Sequence, residues 1–459
     1  MKIIQLELNE VSKEIVDRMV ADGKLKNFQY INRNYDYVTT TSDSRYENIE
    51  PWIQWVSAHT GKSYNEHKIF HLGDAEVLSH SQIWEVLSDN GIESAILGSM
   101  NAKQGRMKGG VFFPDPWSKN GKAFPSDLQP LWNLVASKVQ THATSKLQLK
   151  DILNGLKCCF KYKIPLKLYI KIARQIISQK INPKKKWRMP ALFDELMSCV
   201  FMTILEKTKY GFYTLFLNAC AHYQHHYWRE FDPSKFNKKI SSPDIDSGDD
   251  PISFGYTIYD KIIGNLIKYV ESREDVVLVI ATAFTQVPYL DKECEGGMNY
   301  YRLIDHGKFL SMFNGDGAHV YPMMSRDWQI DVENVDLIEK LSNKLNKFSV
   351  NGEKLFAVNK NGEKSLFVYT SITRQIKNNS EIIYEGKSIG HFYDFFTNIA
   401  IKSGHHVSEG SLWLSNQDRS GFSFNGMPIT NLFNYNLSLL LNKSSGAGSS
   451  VRCADEMIV

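Results

Sequence analysis

The stretch Phe216 to Trp228, FLNACAHYQHHYW, continues the apolar run Phe212, Tyr213, Thr214, Leu215, Phe216, Leu217. That run reads as a buried strand, so Asn218 and His222 fall where the strand ends and the chain turns outward. Open α/β sheets gather their ligands at the carboxyl ends of strands. Three histidines and an asparagine placed there mark a candidate site.

Reading outward, Lys2 to Leu8 is rich in Ile and Leu and predicts a first strand that ends at Asn9 and Glu10, with a helix from about Ser12. Tyr46 to His59 carries Trp52, Trp55 and Val56 at near-helical spacing and stops at Thr60-Gly61, a glycine stop. Ser81 to Leu87 predicts a helix, Asn90-Gly91 a turn and Ser94 to Leu97 a short strand. Tyr256 to Val270 has helical spacing, and Val276 to Ile280 is a continuous apolar run typical of a buried parallel strand. Between Val320 and Ile372 the pattern predicts one helix near Val335 to Leu345 and a hairpin about Asn361-Gly362. Phe392 to Ile401 reads as helix and Ser411 to Leu414 as strand. His405 and His406 stand just before that strand.

These elements predict an α/β fold: three layers, α/β/α, with a mostly parallel central sheet, a helical basic insertion and a small α+β insertion. The expected division is a core in three parts (1–125, 206–310 and 386–440), interrupted by the basic helical insertion (126–205) and the α+β insertion (311–385). A mobile tail (441–459) follows, rich in Ser and Gly.

With 459 residues, 42% hydrophobic and 23% charged, the chain can bury a large core. A net charge of +4 gives no global signature of nucleic-acid binding. The start MKIIQLELNE lacks a basic segment followed by a long apolar stretch, and no run approaches the roughly 18 apolar residues that span a bilayer, so the expected location is cytoplasmic. The six cysteines form no CxxC pair and no zinc-ribbon spacing, as expected of reduced thiols. Nothing in the pattern specifies an oligomeric state.

One segment departs from this even balance. Ile152 to Leu192 has no acidic residue and many basic ones. Leu166, Tyr169, Ile170, Ala173, Ile176 and Ile177 share one helical face, while Lys167, Lys171, Arg174 and Gln175 share the other. Such a helix suits either an ordinary solvated surface or an anionic membrane surface. On the second reading Lys167, Lys171, Arg174, Lys184, Lys185 and Lys186 are the membrane-surface residues, and the protein sits peripherally on the inner face.

The order strand-Asn9, helix-Thr60-Gly61, Asn218-x-x-x-His222, Val276 to Ala283 and His406-x-x-x-Gly410 resembles the alkaline phosphatase superfamily, nearest its type I phosphodiesterase and nucleotide pyrophosphatase branch. The resemblance implies a two-metal phosphoryl-transfer site, and there this chain departs from the pattern. Asn9 stands where the family has its first Asp, and Asn218 replaces the Asp of Asp-x-x-x-His. Thr282-Ala283 stands for an Asp-His pair, and Pro51, between Glu50 and Trp52, for the nucleophile. Two-metal catalysis needs charged oxygens and imidazoles to hold two ions about 4 Å apart. With those charges removed, no cofactor is expected, apart from a single weakly bound divalent ion at Asn218, His222 and His406.

The expected catalytic residues are therefore His222 and His406, which can hold or donate a proton near neutrality, and Glu50 as base or nucleophile. Asn9, Glu10, Trp52, Asn218, His226, Thr282, Gln286 and Glu409 are the expected substrate-binding residues. The expected function is a metal-independent transferase or hydrolase for an activated sugar or phosphate ester. Its partner would be a nucleotide-linked or lipid-linked sugar or another phosphate ester, and no nucleic acid is expected. The Leu-Glu-Leu-Asn-Glu start also resembles uncharacterised superfamily members of bacterial surface-polysaccharide clusters, which points to lipid-linked glycan assembly. Two other readings stand beside it: a non-catalytic relative that binds a phosphorylated ligand or a partner protein, and a conventional metal-dependent phosphodiesterase.

Overall fold

The computed structural model describes residues 1–459 except 44, 46–47, 119–120, 141–148, 239, 241, 296, 314, 316, 324–325, 416–425 and 442–459. The expected tail lies outside the described residues beyond residue 441. The sequence of the first strand, KIIQLEL, explains the layering. Side chains alternate across a sheet, so Ile4, Leu6 and Leu8 face one side and Ile3, Gln5 and Glu7 the other. On the first side the helices Lys13–Ala21, Lys26–Asn34, Met189–Lys207, Ala219–Phe231 and Pro251–Glu271 close over Ile4, Leu6 and Leu8. Each of these buried side chains contributes about 1.5–3 kcal/mol. On the other side Pro51–Thr60, Ile83–Asp89 and Asn431–Leu441 pack around Ile3, Ile96 and Val279. The result is the three-layer α/β/α arrangement.

The central sheet has eight strands, in the order Met427–Pro428, Asp36–Thr41, Glu409–Leu414, Val276–Ala281, Lys2–Leu8, Phe212–Leu217, Ser94–Leu97, Val111–Phe113. It is mostly parallel; Glu409–Leu414 runs antiparallel to both its neighbours. Register fixes one edge. Leu8 pairs with Leu217, and Glu7 with Ala281, so Asn9-Glu10, Asn218 and Thr282 leave the sheet side by side. Because Glu409–Leu414 runs the opposite way, with Leu412 against Ala281, its beginning lies at that same edge and delivers the preceding strand Gly404–Val407 there.

A third core cluster, running from Tyr301 to Phe396, belongs to the α+β part, which therefore reaches beyond residues 311–385 on both sides. Its hairpin pairs Phe356–Lys360 with Ser365–Thr370 around Asn361-Gly362, where Gly362 takes a φ of 82°. One element differs from expectation. Only Phe392–Phe395 is helical, and Phe396–Lys402 is a strand paired with Met298–Leu303. Thr397, Ile399 and Ile401 are β-branched at every second position, a strand signal that overrides the helical spacing of the phenylalanines. Among the described residues, no helix is long and apolar enough to cross a membrane.

Candidate functional site

Three chain segments meet at the sheet edge. Glu10 follows the first strand, His225 projects from the helix Ala219–Phe231, and His406 comes from the strand Gly404–Val407, paired there with Gln286. Glu10 Oε2 lies 3.1 Å from His406 Nε2 and 3.2 Å from His225 Nε2, and the two imidazole nitrogens are 3.2 Å apart. The result is a nearly equilateral triangle of ligand atoms.

Glu10 is held in place from all sides. Its backbone has a φ of 57°, a left-handed conformation that costs a non-glycine residue about 1–2 kcal/mol. Gln224 Nε2 donates to its carbonyl at 2.6 Å, and its own N–H donates to Thr282 O at 3.3 Å. Asn9 Nδ2 donates to Oε1 at 2.8 Å, and Gln286 Nε2 donates to Oε2. Strain maintained by this many contacts is typical of a functional position.

His406 is oriented just as firmly. Its Nδ1 donates to the carbonyl of Ile49 at 2.6 Å, which leaves Nε2 facing the carboxylate. Its strand runs so close to the helix that a Cβ on Gly404 would come within 2.4 Å of the Gln224 carbonyl oxygen. Ser403 N donates to His225 O at 2.7 Å, and Trp228 N donates to Ser403 Oγ at 2.9 Å. Helix and strand are thereby fixed together with both imidazoles inward.

The electrostatics follow from burial and charge. Burial alone would raise the Glu10 pKa, but the charges of His406 and His225 outweigh it and hold Glu10 well below the usual carboxylate range. Burial lowers the pKa of His225. For His406 burial works in the same direction, yet the carboxylates of Glu10 and Glu50 prevail and raise it. Glu50 stands at the start of the helix Pro51–Thr60, its side chain free of any capping bond to the helix and its Oε2 3.7 Å from His406 Nδ1. Burial pushes its pKa up to about 7, against the opposing charge of His406. A third of its side chain, 34%, remains open to solvent, so it can exchange protons with water.

The expected site residues are thus sorted by position. His406, Glu10 and Glu50 come together. Gln286 and Asn9 reach the cluster as holders of Glu10. Asn9 also accepts from Trp55 Nε1 at 2.9 Å and donates to Asn218 Oδ1 at 2.8 Å, so Asn218 lies one bond further out. The N–H groups of Asn218 and Ala219 donate to Asp194 Oδ2, as does Tyr259 Oη, and burial lifts the pKa of Asp194 to about 7.

The rest lend no side-chain ligand to the cluster. Thr282 is buried, and its Oγ1 accepts from Ser411 N at 2.8 Å. Trp52 donates its indole N–H to Phe70 O. Glu409 is exposed at a strand end. His222 is exposed and lies against His226, ring centroids 4.9 Å apart, and neither ring joins the Glu10 cluster. The residue missed by sequence reasoning is His225. The signal for it was helical spacing: Ala221, Gln224, His225 and Trp228 form the face that meets Glu10, Gln286 and Ser403. Counting the Asp-x-x-x-His pattern selects His222, on the neighbouring face.

The donor set fits a divalent cation. Bonds of about 2.0–2.1 Å in a tetrahedral site place ligand atoms about 3.3 Å apart, close to the observed triangle. Two imidazoles and one carboxylate suit zinc and similar ions. A ligating histidine commonly donates its other N–H to a carbonyl, as His406 does. The donors that come together to fit an ion are Glu10, His225 and His406, where the sequence reading named Asn218, His222 and His406. Among the described residues, no second such group stands beside it.

No protein-family model matches the sequence, and no curated protein does. Solved structures do match over nearly the whole chain. Phosphonoacetate hydrolase from Sinorhizobium meliloti 1021, in complex with phosphonoacetate, matches at 13% identity and a TM-score of 0.47, over 96% of each chain. Murine and human ectonucleotide pyrophosphatase/phosphodiesterase 5 match at 12% identity with TM-scores of 0.38 and 0.40, over 96% of this chain and 95% of theirs. Both kinds belong to the alkaline phosphatase superfamily. At these identities and TM-scores the likeness assigns no residue a role, and the site stands on its own geometry.

Proposed function

We propose that the protein is a hydrolase or transferase for a phosphate ester, including a sugar joined through phosphate to a nucleotide or lipid, with a centre built on one divalent cation. The observation that carries this reading is the triangle of Glu10, His225 and His406 at the carboxyl edge of the sheet. A bound cation there supplies positive charge for a phosphoryl oxygen. The chain's own groups do the rest. Gln286 and Asn9 keep the Glu10 carboxylate turned inward, Ile49 O keeps His406 in one tautomer, and Glu50 takes up a proton from the attacking hydroxyl or water. A role in bacterial surface-polysaccharide assembly, on a lipid-linked glycan, is the cellular setting in keeping with the resemblance of the chain's start.

A second reading runs without a cation. The raised pKa of His406 makes it a proton donor beside Glu50, whose pKa lies near 7. Metal analysis of the purified protein, with hydrolysis of p-nitrophenyl phosphate and bis-p-nitrophenyl phosphate before and after chelation, separates the two. The first reading expects about one cation per chain, as the three-ligand centre requires, and activity that chelation removes and zinc restores. Activity that survives chelation in cation-free protein establishes the second. Phosphate binding with no turnover of any phosphate ester leaves a non-catalytic binding protein and sinks both.

Glu50 gives a further expected outcome. As a base it works when ionised, so the rate rises with pH through about 7. Glu50→Gln should flatten that rise and lower the rate about 10²-fold, at the lower end for general bases. A pH–rate profile checks it; an unchanged limb would assign the titration to another group.

A further inference from the structure

The basic insertion presents its apolar residues outward. On the helix Leu166–Ile181 the buried positions are Leu168 and Gln175, with Ile172 partly buried against the first core. The opposite stripe, Leu166, Ile170, Ala173, Ile177 and Ile181, recurs every three or four residues and is exposed, with Leu166 at 74%, Ile177 at 59% and Ile181 at 80%. The preceding helix, Leu149–Lys161, packs Cys158 and Cys159 into the same core and exposes Phe160 at 83%. The sequence grouped Gln175 with Lys167, Lys171 and Arg174 on the polar face. Gln175 turns inward instead, its Nε2 donating to Lys185 O at 2.6 Å.

Two of the expected surface lysines are tied to the protein. Lys171 pairs with Glu195, and Lys185 with Asp246 and Asp249 at 2.9 Å. The corrected set is Lys167, Arg174, Lys180, Lys184 and Lys186. All are exposed, and none makes an ion pair with a carboxylate among the described residues. No acidic residue occurs between Ile152 and Leu192 to oppose them.

Isolated exposed apolar side chains are ordinary, but a continuous stripe rimmed by one sign of charge marks a contact surface. The sign decides the occupant. Leucine and isoleucine buried at the headgroup boundary, with lysines flanking them, is the pattern of a helix lying in an anionic lipid surface. We propose that the stripe Leu166–Ile170–Ile177–Ile181, together with Phe160, docks the protein on an anionic membrane, with Lys167, Arg174 and Lys180 against the lipid headgroups. The proposal is independent of the chemistry at the Glu10 centre. It deepens only the source of the substrate, since a docked enzyme meets phosphate esters carried on lipid.

The test is sedimentation of the full chain with vesicles of phosphatidylcholine alone and of phosphatidylcholine with phosphatidylglycerol. Binding is expected to the mixed vesicles and to be weak on the neutral ones. The triple variant Leu166→Ser/Ile177→Ser/Ile181→Ser, which changes only exposed positions, should weaken binding at least about tenfold, as should Lys167→Gln/Arg174→Gln/Lys180→Gln at low salt. Light scattering checks that both variants keep the parent's folded size. No binding by the parent, or equal binding by the triple Ser variant, overturns the proposal. A dimer of the parent that the Ser variant abolishes overturns it too, by assigning the stripe to a second copy of this chain.

Discussion

Glu10→Gln is expected to strip the centre of its cation and to lower phosphate-ester turnover by about 10³–10⁴-fold. The estimate takes several kcal/mol of charge stabilisation from a catalytic cation, with 1.36 kcal/mol for each tenfold in rate. The substitution keeps the shape of the side chain and removes its charge. Neutral imidazoles of His225 and His406, 3.2 Å apart, then offer no carboxylate to a doubly charged ion, and affinity should fall well beyond the 10–100-fold that loss of an outer-shell partner brings. Gln286→Ala supplies that milder case, since Gln286 touches Glu10 and is not among the three ligands. Metal content after dialysis and the rate on bis-p-nitrophenyl phosphate are the two measurements. A Glu10→Gln protein that retains about one zinc and full activity would remove Glu10 from the centre and, with it, the proposed function.

How much of this arrangement the sequence disclosed depends on what each signal reports. The runs Lys2 to Leu8, Phe212 to Leu217 and Val276 to Ala281 disclosed the sheet because strands buried on both faces are dominated by apolar side chains, even where Gln5, Glu7 and Thr214 interrupt them. Their shared edge followed, and so did the placement of Glu10, Gln286 and His406 near it. Which histidine points inward was a question of helical phase, and phase depends on where the helix begins. Asp194, from a helix about two dozen residues upstream, sets that start by receiving the N–H groups of Asn218 and Ala219, and a local motif carries no trace of so distant a partner. The basic helix stayed open for a related reason. Its two faces both carry apolar side chains, Leu168 and Ile172 on one and Leu166, Ile170, Ile177 and Ile181 on the other, so the pattern did not reveal which of them packs.

Glu7→Ala should cause the largest loss of stability, about 3–5 kcal/mol, because it removes the shared acceptor of a buried hydrogen-bond network. Glu7 sits on the strand that leads into Glu10, and its side chain points to the opposite face of the sheet from Leu6 and Leu8 and is entirely buried. It accepts from Gln5 Nε2 at 2.8 Å and from Ser99 Oγ at 2.9 Å, and lies 2.8 Å from His59 Nε2. Truncation leaves these groups without their acceptor in a dry interior, where each orphaned group costs about 1–3 kcal/mol. Glu7→Gln, which keeps the volume and one oxygen, should cost less than half as much. The readout is the midpoint of urea unfolding at unchanged slope. A loss below about 1 kcal/mol, the range of ordinary surface changes, would show that water or rearrangement satisfies the network. The effect should also reach the site. His59 stacks on Trp55 with ring centroids 5.8 Å apart, Trp55 donates to Asn9, and Asn9 donates to Glu10. The helix Pro51–Thr60 that joins these contacts begins at Glu50. A Glu7→Ala protein that still folds should therefore hold its cation more weakly than the parent, although residue 7 touches none of the three ligands.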